Sequence, residues 1–136
     1  MEIARGLVTD RPWALTLAQV VRRGVTGEVT LTAADKRYAI AFTEGAIVAA
    51  HSPLTIDSVL RIALTSHLIT PPQLNDLQRR LAANPDADEI DTLGAATNLA
   101  AAQLDKLRAD VVTRRAARTF APDTGEFVIT DNIDSF

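Results

Sequence analysis

The chain has 136 residues, of which 47% are apolar and 23% are charged, and its formal net charge is −3. This length and composition predict a single ordinary domain that forms its own core, and the negative balance argues against general affinity for nucleic acid or anionic membranes. The absence of cysteine excludes disulfides, thiolate nucleophiles and cysteine-based metal centres.

A short amphipathic helix and an antiparallel meander are predicted for the first part of the chain. Pro12 in the first helical turn and Gly24 after two arginines delimit the helix, whose apolar residues recur at helical spacing. From Gly27 the apolar residues alternate instead, which indicates three strands separated by turns at residues 34–36 and 44–45. The inner face of this sheet needs a helix to cover it, and the first helix is the nearest candidate.

The next part of the chain is predicted to be helical. Helical spacing of apolar residues starts at Ile56, and Thr70 followed by two prolines predicts the N-cap of a further helix. A polar break at residues 84–88 separates this helix from two more, which are predicted at about 89–94 and 99–119.

A last alternating segment at residues 126–130 predicts a strand that returns to the sheet. The fold class is therefore α+β: a small antiparallel sheet, made of a three-strand meander plus a C-terminal strand, with a covering N-terminal helix and a helical-hairpin subdomain. We expect one domain over residues 1–136, composed of helix and meander (1–53), helical subdomain (54–120) and returning strand with tail (121–136).

A weak repeat of 30 residues runs through the helical part. When residue n is placed over residue n+30, five pairs match: Leu60/Ile90, Ile69/Leu99, Gln73/Gln103, Leu74/Leu104 and Leu77/Leu107. Each repeat unit is predicted to be a short helix, a tight apolar turn and a longer helix. Chance matching in Ala- and Leu-rich helices is the alternative explanation, and two units are too few for a solenoid.

The histidines and charged clusters do not form a recognisable active or metal site. His51 lies beside Ser52, but no Gly-x-Ser-x-Gly turn accompanies the pair, and His67 is expected in a turn between helices. The acidic run at residues 86–91 lacks the central glycine of a calcium loop, and the arginines of the last helix are typical of a helix C-terminus. We therefore expect no enzyme, no cofactor and no metal.

Three segments carry a family resemblance. Residues 26–31 read TGEVTL and residues 40–52 read IAFTEGAIVAAHS, which are similar to the motifs TGxLxL and hxFxxGxIVxA. TGEFVI at residues 124–129 is similar to a closing xxGxFxF strand. The chain thus resembles the PATAN domain, named for the N-terminal domain of PatA-type response regulators. The resemblance implies a bacterial cytoplasmic signalling accessory that mediates protein–protein contacts and has no known catalytic residues.

The helical half carries a second resemblance. Residues 66–74 read SHLITPPQL, which is similar to the motif xxGLLTxxQL of the cyclic-dinucleotide-binding N-terminal domains of type II secretion and pilus ATPases. The ligand-binding part of that motif opens with Arg-Leu-Gly. This chain departs from it, with SVL at residues 58–60 and DEI at residues 88–90 in the corresponding places.

These observations predict a non-enzymatic interaction module of a bacterial signalling, motility or polarity system, forming one domain of a longer protein. No apolar run reaches the ~20 residues that span a bilayer and no secretory signal opens the chain, so we expect a cytoplasmic location. The expected partners are regulatory proteins rather than nucleic acid or membrane, and the sheet edges allow a homodimer.

The expected interaction surface is the exposed hairpin, with the groove between the sheet and the helical pair as the other option. The candidate residues of the interaction surface are Arg37, Thr43, Glu44, Gly45 and His51. The alternative function is a small-ligand sensor that binds a cyclic dinucleotide or a similar phosphate-rich second messenger. Its candidate residues are Arg108, Arg114 and Arg115.

Overall fold

The computed structural model describes residues 1–133 and 136, which form two compact units. The first unit comprises residues 1–53 and 112–136, and the second comprises residues 54–111. The boundary at residue 111 falls inside the last helix. The fold class is α+β, as the sequence predicts, and no helix in the described part of the chain has the length and apolar character needed to cross a membrane.

The first unit is built on a five-stranded antiparallel sheet in the order β1-β5-β2-β3-β4. Its elements are β1 (Glu2–Leu7), α1 (Trp13–Arg22), β2 (Gly27–Ala33), β3 (Lys36–Thr43), β4 (Ala46–His51), β5 (Glu126–Thr130) and the last turns of α5 (Ala101–Arg118). The predicted first helix, meander and returning strand are therefore confirmed. The two turns of the meander are two-residue hairpin loops with positive φ at both positions, as the right-handed twist of the strands requires.

The core of the first unit lies between one face of the sheet and the helices α1 and α5. Trp13 opens α1 and its ring packs edge-on against Phe127 of β5, with 5.5 Å between the ring centroids. Its indole Nε1 donates a buried hydrogen bond of 2.8 Å to Thr119 Oγ1. The aromatic ring is thus held at its apolar face and at its polar edge, and α1 covers the sheet as predicted.

The strand β1 was not predicted from the sequence, so the expected sheet of four strands was wrong by one. This segment contacts the sheet only through β5, with Glu2 opposite Thr130 in the register. Five of the six residues of β1 are exposed, so the segment carries no alternation of buried and exposed side chains. A strand of this kind is recognised only through its partner, which follows it by more than 110 residues.

The second unit consists of α2 (Val59–Thr65), α3 (Pro71–Ala83), α4 (Glu89–Ala96) and the first turns of α5. The periodicity predicted that Ile56 belongs to the first of these helices, and this prediction was wrong. Ile56 lies in a 3-10 turn at Thr55–Asp57 and is 62% exposed. The helix α2 begins only after Ser58, which is its N-cap.

The 30-residue repeat corresponds to a repeated helix–turn–helix unit. At the matched positions, Gln73 Oε1 accepts a hydrogen bond of 2.8 Å from the amide of Thr70, and Gln103 Oε1 accepts one of 2.9 Å from the amide of Ala100. Each glutamine therefore satisfies an amide just before the longer helix of its unit. The matched residues Leu77 and Leu107 are both buried in the core of this unit.

Candidate interaction surface

The turn between β3 and β4 is held rigidly against the end of α1. Glu44 and Gly45 have φ values of 50° and 80°. The amide of Glu44 donates to Thr26 Oγ1 and the amide of Gly45 donates to the carbonyl of Val25, each at 2.9 Å. A Cβ atom at Gly45 would lie 2.5 Å from the carbonyl oxygen of Val21, so only glycine fits this approach.

Next to this turn, β4 exposes large apolar side chains at the edge of the sheet. Ile47 is 43% exposed and Val48 is 51% exposed. Val21 on α1, whose backbone lies against Gly45, is 52% exposed. β4 has a neighbouring strand on one side only, and a bulge in the register between β3 and β4 leaves Val48 without an opposite residue. The turn therefore positions an apolar patch on a fixed backbone.

The predicted residues Arg37 and His51 lie at the opposite end of the hairpin. His51 pairs with Ala39 in the register, and both Arg37 and His51 are exposed. Partial burial, followed by the charges of Arg115 and Arg37, lowers the pKa of His51 below its ordinary value. His51 therefore favours its neutral form at this end of the hairpin.

The structure thus divides the five predicted surface residues into two groups. Thr43, Glu44 and Gly45 lie at the turn, and Arg37 and His51 lie at the other end of the paired strands. Thr43 follows Arg37 by six positions along β3, which corresponds to about 20 Å. The two groups are ends of one hairpin rather than a single cluster.

The three arginines predicted for a ligand patch have different surroundings. In the second unit, Arg108 donates a 3.0 Å hydrogen bond to Asp91, and both side chains are exposed. In the first unit, Arg115 Nη1 donates to the carbonyl of Ala50 at 3.4 Å. Arg114 lines a shallow surface groove that also includes Arg118. Two of the three arginines predicted to bind a ligand therefore donate hydrogen bonds to other residues of the chain.

Sequence reasoning missed the exposed apolar residues Ile47 and Val48. The available signal was the unbroken apolar run from Ala46 to Ala50, since a strand with one solvated face alternates. That run alone does not reveal whether a strand is central and buried or lies at an edge with its side chains in solvent.

Among residues 1–133 and 136, no group of three or more histidine and acidic side chains is placed to hold a metal ion. Comparison of the chain with protein-family models, with curated proteins and with solved structures finds no match.

Proposed function

We propose that this chain is a non-enzymatic protein–protein interaction module that binds its partner through the β3–β4 hairpin. In line with the resemblance of its hairpin motifs to the PATAN domain, we place it in a bacterial, cytoplasmic signalling, motility or polarity system. The partner is a regulatory protein of that system rather than nucleic acid or a membrane.

The observation that carries this proposal is the exposure of Ile47 and Val48 on a fixed edge strand. Exposed apolar side chains that lie singly are ordinary on protein surfaces, whereas adjacent ones on a rigid element are typical of a binding site. The backbone conformation at Glu44 and Gly45 is fixed by two hydrogen bonds and a close approach to α1. A partner that binds there loses little conformational entropy of the hairpin on association.

The test is affinity capture from a lysate of the protein's own cells, read by quantitative mass spectrometry, with three versions of the chain. Val48→Glu introduces a charge into the apolar patch. Arg79→Glu introduces one at an exposed position of α3 in the second unit, and serves as the matched control. We expect one protein to be enriched by the unmodified chain and by the control, and lost with Val48→Glu. Equal recovery by all three would contradict the proposal.

The second candidate function is a sensor for a phosphate-rich second messenger. It is favoured by one observation, the shallow groove that Arg114 and Arg118 both line. Calorimetric titration with cyclic di-GMP tests it. A sensor would bind in the micromolar range and lose affinity in the Arg114→Glu, Arg115→Glu double variant, whereas the interaction module would give no heat of binding and keep its protein partner.

A further inference from the structure

A second groove lies on the other side of the first unit, between β1 and α1. We call it the α1–β1 groove. Its apolar lining consists of Ile3, Ala4, Val20, Val25 and Ile129. Its cavity volume is about 50 Å³, well below the size of a small-molecule site, so it has room for the end of a single side chain. β1 and β4 are the two edges of the sheet, so the groove and the hairpin surface use different edge strands. Val25 belongs to both, because it lines the groove and its carbonyl accepts from the amide of Gly45.

Two arginines also line the α1–β1 groove. Arg11 precedes α1 and Arg23 follows it, so they stand at the two ends of a helix of 10 residues, about 15 Å long. Arg11 Nε donates to Thr16 Oγ1 at 3.1 Å, and among the described residues its terminal nitrogens have no acceptor. Within the described part of the chain, neither guanidinium forms an ion pair. The charge of the groove therefore suits an occupant with carboxylates.

The edge of β1 offers backbone hydrogen-bonding groups beside the groove. The amide of Val8 donates to the carbonyl of Gly125 at 2.9 Å, and the alternation of an antiparallel ladder then directs both backbone groups of Arg5 away from β5. At Leu7 the outward amide already donates to Asp10 Oδ2 at 3.1 Å. Arg5 thus presents one donor and one acceptor to an added strand.

We propose that the α1–β1 groove binds an extended acidic peptide segment of a partner protein, which adds to β1 as a further strand. The peptide inserts one aliphatic side chain between β1 and α1 and places a carboxylate near each of Arg11 and Arg23. The sequence pattern Asp-x-Ile-x-Asp meets these requirements, because residues two apart share a face and the two acidic positions are about 13 Å apart. The proposal rests on the interaction role proposed above and gives it a second surface.

A synthetic peptide tests the groove directly. The probe is fluorescein-labelled Thr-Asp-Thr-Ile-Thr-Asp-Thr, titrated with the full chain and followed by fluorescence anisotropy at low salt. The Arg11→Glu, Arg23→Glu double variant is expected to bind about tenfold more weakly or worse, since charge-assisted hydrogen bonds are lost. Arg22→Glu, on the same helix but outside the groove, is expected to bind as the unmodified chain does. The rearranged peptide Asp-Asp-Thr-Thr-Ile-Thr-Thr is expected to bind more weakly.

A second pair of variants separates strand addition from simple charge attraction. Arg5→Pro removes the outward amide without touching the ladder to β5, and Arg5→Ala removes only the side chain. Strand addition predicts that binding is lost in Arg5→Pro and retained in Arg5→Ala. Backbone amide shifts of the unmodified chain in a titration with the probe are expected to concentrate at Ile3, Val20 and Val25.

Three results would overturn the proposal: no saturable binding up to about 1 mM chain, equal weakening by the control Arg22→Glu, or amide shifts confined to β4. The hairpin variant Val48→Glu distinguishes the two proposals, because it leaves the groove intact. If the probe fails to bind while capture of a protein still depends on Val48, the groove assignment falls and the hairpin assignment stands. If the probe binds and capture is insensitive to Val48, the reverse holds.

Discussion

Replacement of Gly45 by alanine is the sharpest test of how the hairpin is held. Gly45 has a φ of 80°, and an added Cβ would lie 2.5 Å from the carbonyl oxygen of Val21. The left-handed conformation alone costs an alanine about 1–2 kcal/mol. The contact is about 1 Å shorter than an ordinary one, and forced packing of this kind adds about 1–3 kcal/mol. We therefore expect Gly45→Ala to reduce the free energy of unfolding by about 2–5 kcal/mol.

Gly24 provides the matched control, because it has a φ of 60° but nothing within 4 Å of an added Cβ. Gly24→Ala is expected to reduce the free energy of unfolding only by the cost of the left-handed conformation, about 1–2 kcal/mol. Urea unfolding, followed by the fluorescence of Trp13, measures the free energy of unfolding of both variants. Trp13 is the single tryptophan of the chain and lies in the same unit as Gly24 and Gly45. Losses that agree within about 0.5 kcal/mol would refute the close approach of the hairpin to α1.

Substitutions can perturb the two cores and the charged end of the hairpin separately. Thr119→Val leaves the indole of Trp13 without its 2.8 Å acceptor and is expected to cost about 1–3 kcal/mol in urea unfolding, more than Thr119→Ser. Leu77→Ala and Leu107→Ala, at matched positions that are both 1% exposed, should each cost about 2–5 kcal/mol, and a neutral result at either would contradict the shared core. The lowered pKa of His51 means that the unfolded chain takes up its proton first as the pH falls below 6.5, so acid destabilises the fold. His51→Gln should flatten this dependence, and an NMR titration of His51 at or above its ordinary pKa would contradict it.

Local sequence signals predicted those elements whose structure is determined by neighbouring residues. Pro12 and the helical periodicity after it predicted α1. The tolerance of glycine for positive φ predicted the hairpin turn at Gly45. The matched Gln73 and Gln103 indicated the repeated unit, because each glutamine bonds an amide three residues before it.

The parts that the sequence did not predict depend on contacts between distant segments. β1 is a strand because β5 pairs with it, and its own residues are mostly exposed. Ile47 and Val48 are exposed because β4 lies at an edge of the sheet, and the order of strands follows from the whole topology. The α1–β1 groove was missed for the same reason, since its wall is β1.

Photo-crosslinking in the protein's own cells tests the interaction surface most directly. In one variant, Val48 in the hairpin is replaced by p-benzoylphenylalanine, which is photoreactive. In the control variant, the same residue replaces Arg79 at an exposed position of α3. We expect irradiation to link one protein species to the hairpin position and to leave the control position unlinked. No adduct at the hairpin position, or the same adducts at both positions, would contradict the claim that the β3–β4 hairpin binds a protein partner.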